Sequence, residues 1–539
     1  MKHIFKLIFS ALLILTVAGG CDTDELHEMN INPNAVNTID VNYFLTAAEL
    51  SASNNGLRDN RYTDWRTNIG MCGHAIQQLA STSTGTISVG DKYLENDVEP
   101  SNAPWDHFFA GDGRVTYEII KQTGPGGYSE GAKKNTREAA RILRVLCFHR
   151  LTDWYGSIPY FEANRGVEGI FQPKYDKQKD IYYDLLKELD EACSLISSSN
   201  LDEGFTAADY YFNGNIAKWK KFGYSLMLRL AMRISNVDLP TANTYVTKAV
   251  AGGVMSSNDD NVIATMALGP SEWTNQNGIS RGFYPGDGGQ WSSSFLSKTL
   301  VDWLMGPDKG VTTDDDPRLM ILTGGILEWT ANTVIYKETD PLKMRGLPNG
   351  LDGAMLNTMM GGPTIPYEHF SAVNPKMMQD DEPYMIMHAA ESEFLLAEAL
   401  ERGIGTGISG TAEEHYRRGV KLAMQMYSIY DESFEVTDDQ VETYLETYPY
   451  GVTKPALEMI GEQMWVSKWM NWWDAWSDYR RTGYPQLVPT NYPGNATNGQ
   501  IPTKLMIPAY EATGNPNYAT GATKPDRLVG KVWWDGGPE

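Results

Sequence analysis

Three stretches of this 539-residue chain carry residue types and spacings that do chemistry. Gly278-Ile-Ser280-Arg-Gly282 has the pattern of a nucleophile elbow, which needs a strand before it and a helix after it. No strand pattern precedes it, and among 51 glycines a chance match is expected. Gly405-Thr-Gly407-Ile-Ser-Gly410 has the spacing of a dinucleotide fingerprint, but it follows the helical pattern "LAEALERG" where a strand is required. It reads as a turn between helices. Asp314, Asp315 and Asp316 in "TTDDDPRL" invite a cation yet lack the spaced oxygens and glycine of a calcium loop. A solvated turn capped by Pro317 is expected there. The 8 histidines show no paired metal spacing, and none of the 68 acids stands out as half of a hydrolytic pair. The sequence therefore predicts no catalytic group, no metal and no cofactor.

What remains is the chemistry of binding. Residues 269–291 carry Trp273, Tyr284 and Trp291, spaced by 11 and 7 residues among six glycines. No helix or strand period explains those rings. Glycine lets the backbone bend so that rings stand clear of it, and Asn275, Gln276, Asn277 and Arg281 lie nearby to bond hydroxyls. Tyr93 and Trp105, in the irregular stretch 80–106, have the same character and are expected to line an opposite wall. Loops above roughly 12–15 residues in compact proteins are functional or disordered, and large aromatics argue against disorder. The expected ligand residues are Trp273, Tyr284, Trp291, Arg281, Asn275, Tyr93 and Trp105. The competing account for each ring is that it plugs its loop onto the body.

The elements that position these loops are mostly helices. In "DIYYDLLKELDEACSLI", Ile181, Leu185, Leu189, Ala192 and Ile196 fall on one face. Similar periods predict helices near 135–153, 215–235, 385–402, 411–428 and 456–480, with 135–153 and 176–197, and 385–402 and 411–428, as two helical hairpins. "NTVIYKE" (332–338) is the best strand. Trp465, Trp469, Trp472, Trp476 and Tyr479 form one helical stripe expected in the core, with Trp473 off the stripe and exposed.

At the N-terminus, Lys2 and Lys6 precede an apolar run from Leu7 to Val17, then small residues, then Cys21. The run is short for a bilayer span and matches a secretory signal. The whole arrangement resembles the lipobox of bacterial lipoproteins, with Cys21 acylated after cleavage. Three parts are expected: a signal at 1–20, an acylated tether at 21–40 and one body at 41–539. Loss of the signal deepens the formal charge from −23 to −25. Such a surface repels phosphate backbones and anionic lipid, which excludes nucleic acid and leaves acyl chains as the membrane contact. Cys72, Cys147 and Cys193 are far apart, without metal spacing, and read as buried free thiols.

Several blocks together resemble the SusD/RagB family of outer-membrane lipoproteins, in its SusD-like 2 branch. They are "MNINPNAVNTID", "LTDWYGSIPYFEA" (151–163), "PKYDKQKDIYYDLLKELDEA" (173–192), "NGNIAKWKKFGYSLMLRLAMRIS" (213–235), "DPRL", "RGLPNG", "AAESEFLLAEALERG", "AWSDYRRTGYP" and "RLVGKVWWD". Gly223-Tyr224 departs from the small residue–Asn pair expected at that place. The resemblance implies a mainly α fold of tetratricopeptide-like helix pairs, with an irregular ligand-facing layer and few short strands. It also implies capture of nutrient, most often glycan, at the cell surface, by a protein that sits as a lid on a SusC-like TonB-dependent transporter. The acids after Cys21 look like the signal that places such lipoproteins outside the cell. "LTDWYGSIPY" is expected to stabilise the fold, with Asp153 capping, Gly156 turning and Pro159 stopping a helix. A peptide-binding member of the family, a helical-repeat adhesin and a surface hydrolase are the alternatives, in that order.

Overall fold

The computed structural model describes residues 38–53, 60–85, 89–95, 98–271, 273–283, 294–330 and 333–538. The helices used below are α1 (Asn42–Ser51), α2 (Glu99–Ala110), α3 (Asp112–Thr123), α4 (Lys134–Tyr155) and α5 (Gln178–Leu195). They continue with α6 (Ile216–Arg233), α7 (Leu239–Gly252), α8 (Gly278–Phe283), α9 (Ala389–Arg402), α10 (Ala412–Gln425), α11 (Asp438–Thr447), α12 (Ala456–Ser467) and α13 (Trp472–Thr482). A ten-residue π-helical segment, Asp64–Gly73, lies between α1 and α2. Strands are short, and among the described residues they form four two-stranded antiparallel sheets. The expected strand is one of them, Thr333–Glu338, paired with Ile326–Thr330. Residues Val41–Glu539 form a unit of their own. No described helix is long and apolar enough to cross a membrane.

Helices near in sequence, such as α4 and α5, α6 and α7, and α9 and α10, pack on one another because their apolar stripes need cover. The α5 face reads as expected: Ile181, Leu185, Leu189, Ala192 and Ile196 are all fully buried. Small residues set how closely the pairs approach. A Cβ on Gly223 of α6 would lie 2.3 Å from the Cys193 sulfur of α5, so the glycine is a packing requirement. A Cβ on Gly419 of α10 would lie 2.6 Å from the Phe394 ring of α9. The ends are marked by ordinary signals. Thr411 and Glu414 form a capping box at the start of α10, and Gly403 (φ 65°) closes α9. Gly405–Gly410 is the turn between those two helices. Cys72, Cys147 and Cys193 are free thiols within the core.

Several sequence expectations need correction. The pattern at 385–402 hides a strand, Tyr384–Met387, before α9 begins. The stripe at 456–480 spans two helices: α12 ends at Ser467, Met470 takes φ 72°, and α13 starts at Trp472. Periodicity alone bridges such a break unnoticed. Trp473 is fully buried, its ring 5.5 Å from that of Trp154 and beneath the Arg150 guanidinium at 5.3 Å. Asp316 is buried as well, in a two-bond ion pair with Arg318. Asp153 caps nothing; it lies inside α4 and accepts from the Trp534 indole at 2.8 Å and from the Tyr182 hydroxyl. Gly156 (φ 82°) does end α4, and Pro159 belongs to a strand.

Asp153 is one member of a buried ion network. Arg229 of α6 binds Glu391 of α9 through both carboxylate oxygens, at 2.6 and 2.7 Å, and Asp474 of α13 at 3.2 Å. Arg233 reaches Asp478 at 3.1 Å and Asp153 at 3.6 Å, and Arg150 reaches Asp474 at 3.6 Å. Lys468, in the α12–α13 break, binds Glu391 at 3.0 Å and also Asp478. Burial works to raise the Asp474 carboxyl, but Arg229, Arg150 and Lys468 together hold it well below its usual range.

A second buried acid behaves oppositely. Burial raises the Asp112 carboxyl to about 7, opposed only in part by hydrogen bonds from Ser51 and Cys147 and by Arg150. The folded state therefore holds this proton more tightly than the unfolded chain. Its contribution is full below about pH 4, falls as pH rises through the window up to about 7, and is then level. Asp112→Asn should flatten that fall, so that the melting temperature drops less across the window than in wild type. Parallel curves of melting temperature against pH for the two proteins would refute the assignment.

Candidate ligand-binding surface

Of the residues expected to meet ligand, Tyr284, Trp291 and the lipidation residue Cys21 lie outside the described residues. The rest are spread over two places and the interior. Tyr93 is fully buried, and its hydroxyl accepts from the Thr490 amide at 3.1 Å. Arg281, 5% exposed, pairs with Asp380 at 3.3 Å. Asn275 braces its own loop, accepting from the Ser271 amide at 3.1 Å and the Ala267 amide at 2.8 Å. Trp105 is not in a loop but on α2, 4% exposed. Trp273 is half-buried, its ring 6.4 Å from that of Trp65 with the planes 55° apart.

That indole pair is the centre of the site. Trp65 stands on the π-helical segment, whose inner face is pinned by polar contacts. Asp64 accepts from the Tyr384 hydroxyl at 2.9 Å, Thr67 donates to the Pro100 carbonyl at 2.8 Å, and Asn68 donates to the Met470 carbonyl at 2.8 Å. Trp65 and Arg66 are left half-buried on the outer side. π-Helical turns cluster at functional sites because widening the helix re-aims side chains. Against Trp65 packs α8, which carries the nucleophile-elbow spacing. A Cβ on Gly282 would lie 2.6 Å from the Trp65 ring and 2.4 Å from Ile69. Ser280 is 1% exposed, and among the described residues its hydroxyl has no hydrogen-bond partner and so no base beside it. The glycine serves packing.

Tyr62 extends the surface. Its hydroxyl donates to Glu99 of α2 at 2.5 Å, its ring meets His107 of α2 edge-on at 5.7 Å, and the Arg66 guanidinium lies 5.2 Å from its centre. Burial first, then Glu99, raises the phenol to about 12, which keeps it a donor. The result is a phenol ringed by an acid, a guanidinium and an imidazole, three residues along the chain from the indole pair. No group of three His, Cys, Asp or Glu side chains able to hold a metal exists among the described residues. The sequence reading missed Tyr62, Trp65 and Arg66. Their signal was two aromatics and an arginine at helical spacing in the otherwise polar stretch "DNRYTDWRTN".

The chain belongs to the SusD-like 2 family, described as starch-binding associating with outer membrane, which matches residues 33–508. Among solved structures it is similar to a chitin-binding protein, at 29% identity and a TM-score of 0.75, over 92% of this chain and 100% of the other. A SusD-like protein titled Bacteroidetes AC2a is 25% identical, with a TM-score of 0.76 over 92% and 100%. A SusD homologue from Bacteroides thetaiotaomicron, 22% identical with a TM-score of 0.68 over 93% and 100%, shares the fold. No curated protein matches the chain.

The packing of α8 on Trp65 has a local test. Gly282→Ala should push the indole aside and cost about 1–3 kcal/mol, as overpacking does. Unchanged melting and unchanged tryptophan emission would show that α8 does not set the ring's position.

Proposed function

We propose that this protein is a cell-surface lipoprotein that binds nutrient glycan and passes it to a SusC-like TonB-dependent outer-membrane transporter. The observation that carries the reading is the Trp65–Trp273 pair, with Tyr62, three residues before Trp65, drawing Arg66, Glu99 and His107 around its own ring. A pyranose ring offers a C–H face and a rim of hydroxyls. Tilted indoles take the face, and a carboxylate, a guanidinium and an imidazole take the hydroxyls. Similarity to a chitin-binding protein makes N-acetylglucosamine oligomers the first ligands to test, with malto-oligosaccharides and peptides beside them. Tyr284 and Trp291, outside the described residues, are proposed as ligand residues from the sequence alone.

Calorimetry of Trp65→Ala and Trp273→Ala against that panel tests the reading. Each lost stacking ring should cost roughly 1–3 kcal/mol, by analogy with bases stacked on aromatics. Wild-type affinity in both variants, at unchanged melting temperature, would put the site elsewhere. Selective binding of peptide would move the protein to the peptide-binding reading.

Anchoring is tested separately. Cys21→Ala should release folded protein from the membrane fraction, since acyl chains are its proposed hold on lipid. Membrane retention of this variant in cells lacking the transporter would refute the anchor.

A further inference from the structure

We propose that a second groove, on the other side of α2, binds the same glycan further along its chain; this rests on the glycan reading above. Helix α2 has two working sides. Glu99 and His107 face Tyr62 of the first site. Trp105, Asp106 and Phe109 face an open groove of about 620 Å³, whose other walls are the loop 162–173 and the turn 510–515.

The groove is preformed. Gln172 donates to the Gly514 carbonyl at 3.2 Å, Asn515 to the Pro173 carbonyl at 2.9 Å, and Asn517 to the Gln172 carbonyl at 3.0 Å, which ties loop to turn. Asn164 donates to the Phe109 carbonyl at 2.8 Å, and the Tyr510 hydroxyl donates to Asp106, which ties both to α2. Trp105 forms the floor, stacked on Tyr175 at 6.1 Å with 22° between planes. At the rim, Phe171 is 81% exposed and Tyr510 48%.

An exposed phenyl at the rim of a braced groove offers a flat apolar face to the C–H face of a sugar ring. The carboxylates of Asp106, Glu162 and Glu511, with Arg165 opposite, make the lining acidic and rich in hydrogen-bonding groups. That lining repels anions and suits neutral hydroxyls. Continuity through α2 then selects the occupant. A helix is about 10–12 Å across with its side chains. A glycan of several units crossing α2 would engage both sites, and a short one only the first. Two linked contacts add affinity only when the ligand reaches both.

The experiment is a length ladder of chito-oligosaccharides and malto-oligosaccharides, from dimer to heptamer, titrated into wild type, Phe171→Ala, Tyr510→Ala and Trp65→Ala, each checked for unchanged melting. Trp65→Ala should weaken every bound length. Phe171→Ala and Tyr510→Ala should lose about 5-fold or more on the longest members, the weak end of a stacking contact, with the loss shrinking as the ligand shortens. Wild-type affinity of both groove variants at every length, with Trp65→Ala still impaired, overturns the groove and leaves the first site standing. Groove variants that keep glycan affinity but no longer co-purify with the transporter would assign the groove to protein contact and overturn this inference. A wild type that binds no member of either ladder overturns both readings.

Discussion

The fold is organised around charges that have been taken out of water. Arg150, Arg229, Arg233 and Lys468 meet Asp153, Glu391, Asp474 and Asp478 where α4, α6, α9 and α13 converge. Moving such ions inside costs several kcal/mol each, and only good geometry repays it. The two-bond Arg229–Glu391 pair has that geometry. The histidines alongside stay out of the balance, because burial lowers His388 to about 4 and lowers His149 as well. A network of this kind adds little net stability over an apolar core, but an unpaired member is severely penalised. It therefore specifies register: each helix must arrive with its charge opposite the right partner.

This constraint extends to the ligand surface. Asn471 donates to Asp474 at 3.0 Å, and the neighbouring Met470 carbonyl accepts from Asn68 of the π-helical segment. Asn68 in turn accepts from the Trp473 amide at 3.2 Å. The segment that holds Trp65 is thus bonded to the break between α12 and α13, one step from the buried ions. Rings placed by a rigid core lose little freedom on binding, and contacts on such a support convert more of their energy into affinity.

The helices were legible because their burial follows a 3.6-residue period, as in α5. Where the period survives a change of direction, as between Ser467 and Trp472, sequence offers no warning. The ion network was illegible for a different reason: Arg229 and Glu391 are 162 residues apart, and any buried arginine reads as a surface one. Among the candidate residues, Trp273 was singled out because an indole in a glycine-rich loop has no periodic explanation, and it is half-buried beside Trp65. Tyr93 looked the same and is interior, since a ring in a loop can plug as readily as project. Trp65 and Tyr62 escaped because a short polar helix gives no reason to look for a platform.

Burial of the three thiols bears on how this protein tolerates oxidants. Desolvation raises Cys193 to about 12 and lifts Cys72 and Cys147 higher still. The thiolate is the species that attacks disulfides and peroxides, and at neutral pH it is nearly absent from the folded chain. Disulfide exchange and oxidation at these three thiols are therefore confined to molecules that have opened. The window of risk for these thiols is the interval of folding, and once the core closes over Gly223 and Cys193 they are shielded from reagents in the surroundings.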